Sequence, residues 1–76
     1  MFFYQVIEEK LYTADIGAYI SFGLKVIFAT HGVYLELLRV SDISTDKSKV
    51  ARLAALCTKG QVRPIHLADV IEDSLT

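Results

Sequence analysis

The chain predicts an α+β fold, a three-stranded antiparallel β-sheet followed by two C-terminal α-helices in β-β-β-α-α order. Three features lead to it. Apolar residues recur with period two at Ala18, Ile20, Phe22, Leu24, Val26 and Phe28. A tight connection, Thr30-His31-Gly32, then joins this run to a second β-rich run from Val33 to Val40. Beyond Ser41-Asp42-Ile43-Ser44-Thr45-Asp46 the period becomes helical, with Val50, Leu53, Ala54 and Cys57 on one stripe.

Taken in order, Phe2 to Tyr12 is rich in aromatic and β-branched residues and reads as a strand, with Glu8-Glu9-Lys10 marking a sheet edge. Thr13-Ala14-Asp15-Ile16-Gly17 is a turn, and the clean alternation that follows makes the next segment the central strand. Gly32, free to take positive φ, turns the chain into the third strand, Val33 to Val40. In that strand Val33, Leu35 and Leu37 alternate with Tyr34, Glu36 and Leu38, so both faces are partly apolar and the pattern leaves the inward face open. Ser44 or Thr45 is the expected N-cap of the first helix, and Gly60 its C-terminal stop. Pro64 suits the first turn of the second helix, whose inward face is Leu67, Val70, Ile71, Ser74 and Leu75. His66, Asp69, Glu72 and Asp73 then point outward.

Seventy-six residues are read as a single domain, 1–76, with a thin core. A composition that is 53% hydrophobic exceeds what so small a core absorbs, and leaves apolar surface for a partner. Leu11 to Leu24 is too short and too interrupted for a membrane span. The N-terminus lacks the basic leader of a signal peptide, so the expected setting is cytoplasmic, away from membranes. The one cysteine, Cys57, sits on the apolar stripe and reads as a core residue.

The two helices and their short connection match a helix-turn-helix in outline. Charge argues against it. The second helix would present His66, Asp69, Glu72 and Asp73 to phosphates, and residues 1 to 45 carry Lys10, Lys25 and Arg39 against Glu8, Glu9, Asp15, Glu36 and Asp42. The first helix is basic, and Lys47, Lys49, Arg52, Lys59 and Arg63 define the alternative, a small nucleic-acid-binding regulator. His66, Asp69 and Asp73 could offer one imidazole and two carboxylates to a metal, but a solvated acidic face explains them more simply, and no cofactor or metal is assigned. His31 reads as a hairpin-tip residue. Neither a phosphate loop nor a nucleophile elbow is present, and no enzymatic activity is expected.

The segment DISTDKSKVARLAALCTKGQVRPIHLADVIEDSL resembles a family of small uncharacterised bacterial proteins, mostly from Gram-positive anaerobes, classed as a domain of unknown function. The resemblance rests on Asp42 to Asp46, Cys57, Gln61, Pro64, His66, Leu67, Asp69, Val70, Glu72 and Asp73. It departs from the family pattern at Ser74 and at the basic Lys47, Lys49 and Arg52. It implies no activity, cofactor or catalytic residue.

The leading functional expectation is therefore a non-enzymatic protein-interaction or regulatory module. It would form a homodimer that buries the second sheet face and could engage another protein. Tyr19, Ile27 and Tyr34 are the expected contact residues, with Glu72 and Asp73 as a charged rim. Negative charge at those two positions also opposes the helix dipole, which calls for a basic counterpart in Arg52, Lys59, Arg63 or a partner.

Overall fold

The computed structural model describes residues 1–75, with the side chain of Leu75 outside the description. Three antiparallel strands, β1 (Phe2–Thr13), β2 (Gly17–Thr30) and β3 (Val33–Ser44), lie in the order β1-β2-β3. They are followed by α1 (Lys47–Lys59), a 3-10 turn at Pro64–His66 and α2 (Leu67–Leu75). This is the α+β arrangement that the periodicity predicts.

One-sided burial explains the central strand. Phe22, Leu24 and Val26 of β2, with Tyr4 of β1, face the helices. Val50, Leu53, Ala54 and Cys57 of α1 and Leu67 of α2 complete the buried core. A helix of 13 residues is about 20 Å long, whereas the molecule extends 45 Å. The sheet therefore overhangs the helices, and Ile20, on the inward face of β2, is exposed for want of cover.

The hairpin connection is tighter than glycine alone requires: His31 (φ 51°) and Gly32 (φ 78°) are both left-handed, as a two-residue hairpin turn with the twist of its strands demands. β3 differs from its expected end at Val40 and runs on to Ser44. It does so through two irregularities. One, between the pairs Val26↔Leu38 and Ile27↔Glu36, inserts an extra residue and shifts the parity of the strand. Leu38 and Val40 on one side of it, and Leu35 on the other, thus share the helix-facing side, which simple alternation cannot show. The second lies between Leu24↔Val40 and Phe22↔Ser44, where Asp42 takes φ 53°.

Two helix ends also differ from expectation. Asp46, rather than Ser44 or Thr45, caps α1, its carboxylate accepting from the backbone N–H groups of Ser48 and Lys49. Ser44 Oγ instead accepts from Asp46 N. At the other end Gly60 is right-handed (φ −82°), and the left-handed residue is Gln61 (φ 49°).

Gln61 is held there by the sheet. Its Oε1 accepts from Phe2 N at 2.8 Å and its Nε2 donates to Phe2 O at 3.0 Å, so the side-chain amide pairs with β1 as another strand would. Thr58 Oγ1 accepts from Tyr4 N, and the Tyr4 hydroxyl donates to Val62 O. One edge of the sheet is thereby closed at its N-terminal end.

Burial, and secondarily the Cys57 thiol, raises the Tyr4 phenol above its ordinary 10.0. The folded chain then holds this proton more tightly than the unfolded chain. Its contribution is complete below pH 10.0 and is lost as pH rises through the raised value. Tyr4→Phe should cost roughly 1 to 2 kcal/mol at neutral pH by stranding the Val62 carbonyl. It should also flatten the loss of stability at alkaline pH. Urea titrations of both proteins at neutral and at alkaline pH measure the two effects.

Candidate functional site

The side of the sheet that bears β3 concentrates what the fold leaves unsatisfied. Phe2 turns its backbone groups away from β2 toward Gln61, so Phe2 and Phe28 form a non-hydrogen-bonded pair and Phe28 turns toward β3. By the same alternation Leu35 and Leu38, opposite Phe28 and Val26, bond inward. The backbone groups of Tyr34, Glu36 and Arg39 then point outward from the sheet. This edge is apolar: Val33 is 52%, Tyr34 72%, Leu35 51% and Leu37 47% exposed. Natural edges are usually blunted by charge or proline, as β1 is by Glu8 and Lys10. Between Val33 and Leu38 only Glu36 is charged.

Glu36 and Arg39 form an ion pair on the open face, Nη2 to Oε1 at 2.9 Å with Nε also donating to both carboxylate oxygens. The guanidinium holds the Glu36 carboxyl below its ordinary value. On the helix-facing side, the same strand borders an apolar groove of about 330 Å³ lined by Leu38, Val40, Pro64, Leu67, Ala68, Ile71 and Glu72. A second, smaller groove of about 170 Å³ lies between α1 and the end of β3, with Lys49 and Arg52 beside Ile43, Leu53 and Leu56.

The residues singled out from the sequence are distributed unevenly over these surfaces. Tyr19, Ile27 and Tyr34 do share the face opposite the helices, since Tyr34 pairs with Ala29 on the odd-numbered side of β2. Ile27 and Tyr34 lie together near the hairpin tip, but eight residues of strand, about 27 Å, separate Tyr19 from Ile27. Tyr19 is also engaged, donating to Asp42 Oδ2 at 3.0 Å, and this bond raises its phenol above the ordinary range. Glu72 and Asp73 stand on α2, in the helical layer, and so cannot rim the face that carries the tyrosines.

Three of the basic residues, Lys49, Arg52 and Lys59, fall within about 80° of one another around α1 and share one exposed face. Lys47, Lys49, Arg52, Lys59 and Arg63 are all exposed, but Lys47 and Lys49 are about 160° apart around α1. The two helices do not form a freestanding DNA-reading pair, since both pack against the sheet core. His66 ends the 3-10 turn, while Asp69 and Asp73 follow on α2. Among the described residues no three His, Cys, Asp or Glu side chains gather as metal ligands. Cys57 is buried, and burial raises its thiol above the ordinary value, which disfavours the thiolate. His31 is exposed at the hairpin tip.

One polar cluster escapes sequence reasoning. Glu9 accepts from Ser41 Oγ at 2.7 Å and from Asp42 N at 3.2 Å, while Asp42 accepts from Ser21 Oγ at 2.6 Å and from Tyr19. Ser21, fully buried, also donates to Ser44 O. These bonds fasten the irregular end of β3 to β1 and β2, and leave the carboxylates occupied with structure. Gly23 is the available signal: a glycine within a strand marks a close backbone approach, and here the Val40 carbonyl fills the space of a side chain.

No described helix is long and apolar enough to cross a membrane. No curated protein matches the chain, and no solved structure matches it. A family does, over residues 1–76, so that the match takes in the three strands as well as the C-terminal segment. The chain belongs to that family, DUF6514, a family of unknown function.

Proposed function

We propose that this chain is a non-enzymatic protein-interaction module that acts as a homo-oligomer, with the β3 side of the sheet as its recognition surface. The observation that carries the reading is an apolar strand at the edge of the sheet, with no further strand beside it among the described residues, next to an apolar groove. Such an edge gains backbone hydrogen bonds and buries apolar surface when another strand is added to it. The ionisable groups support a non-catalytic role, because Glu9 and Asp42 are taken up in fastening strands and Cys57 is sealed in the core.

Light-scattering mass on a size-exclusion column, over a range of protein concentration and at low and high salt, tests this. A dimer that persists at high salt is the expected result, since its contacts are mainly apolar and backbone. A monomer at every concentration would remove the self-association. Nucleic-acid binding that weakens steeply with salt would favour the basic-helix alternative through Lys47, Lys49, Arg52, Lys59 and Arg63.

A further inference from the structure

We infer that the open edge of β3 pairs antiparallel with β3 of a second copy, Glu36 of one chain opposite Arg39 of the other, to give a continuous six-stranded sheet. This rests on the self-association proposed above and specifies its geometry.

The sheet has two edges, and they are not equivalent. β1 is closed by Gln61 and Thr58 at its start and carries Glu8 and Lys10 farther along. β3 is the edge left to a partner.

Three independent requirements select the register. In a two-fold antiparallel pair the contacts are reciprocal, so Glu36 opposite the partner's Arg39 also places Arg39 opposite the partner's Glu36. Opposite charges then meet on the open face at both ends of the contact. The same register sets residues with outward-pointing backbone groups, Glu36 and Arg39, against each other, as a hydrogen-bonded antiparallel pair needs.

It also keeps the faces in step. The extra residue in β3 shifts its parity between Glu36 and Leu38, and the partner's strand carries the same shift at the matching place. Leu35 therefore falls opposite the partner's Val40, both on the helix-facing side. Leu35, half exposed in the single chain, would enter the mouth of the groove bordered by Leu38 and Val40. An exposed apolar side chain and an open apolar groove on one strand are thus complementary across the two-fold axis.

Charge exchange tests this directly. E36R gives a chain with two basic residues at these positions, and R39E a chain with two acidic ones. Each variant alone should dimerise about tenfold or more weakly than the unmodified chain, because like charges then stand opposite at both symmetric positions. An equimolar mixture of the two should form a heterodimer of near-original affinity, and the E36R/R39E double variant should regain self-association. Sedimentation equilibrium with one variant carrying a mass tag reads all four cases. Both side chains are exposed, and far-UV circular dichroism checks the fold of each variant. Single variants that dimerise as well as the unmodified chain overturn the register while leaving self-association standing. Loss of association that neither mixing nor the double exchange restores also overturns it. A monomeric unmodified chain overturns both.

Discussion

Gly23→Ala is expected to destabilise the fold by about 3 kcal/mol, a large share of the roughly 4 to 11 kcal/mol that a chain of this length has. A Cβ at Gly23 would stand 2.1 Å from the Val40 carbonyl oxygen, 3.2 Å from its carbon and 3.0 Å from Glu9 Oε1. The Glu9 side chain can swing away, but the carbonyl belongs to the strand next to it. Leu24 pairs with Val40, so relief of the clash means parting β2 from β3 where the register shifts. That movement would also strain the bonds from Ser41 to Glu9 and from Ser21 to Asp42. Urea denaturation followed by circular dichroism measures the loss. A change within about 0.5 kcal/mol, the range of ordinary surface substitutions, would show that the close approach is dispensable.

Leu67→Ala should have an effect of similar size, about 3 kcal/mol, with a different distribution. Leu67 is the one α2 residue fully buried among those described, while Val70 and Ile71 are only partly covered. The groove beneath them already separates part of α2 from β3. Truncating the anchor should release α2 before the sheet opens. Amide exchange along α2 should accelerate strongly, while Leu24 and Val26 at the centre of β2 keep protection close to the global value. Equal acceleration in helix and strand would mean that α2 and the sheet form one cooperative unit.

The parts that the sequence made legible are those in which one residue's neighbours in the chain report its surroundings. Phe22, Leu24 and Val26 announce a strand buried on one face, and Val50, Leu53, Ala54 and Cys57 announce the buried face of a helix. The third strand resisted because its extra residue changes parity midway, so Leu35 and Leu38 reach one face despite their odd spacing. The caps resisted for a related reason. Asp46, Ser44 and Thr45 are all competent acceptors, and only the path of β3 into α1 decides that Asp46 meets the free N–H groups. Of the three expected contact residues, Ile27 and Tyr34 lie together, and Tyr19 is drawn away to Asp42 at the other end of the sheet.

By itself, then, the sequence determined the kinds of element and their order, because hydrophobic period and turn chemistry act over a few residues. Tertiary structure alone decided that the β1 edge is closed at its start, by Gln61 and Thr58, and that the β3 edge is left open. Phe2 meets Gln61 across 59 positions and Glu9 meets Asp42 across 33. Hydrogen bonds of that span depend on how the helix and strands pack, and local pattern carries no record of them.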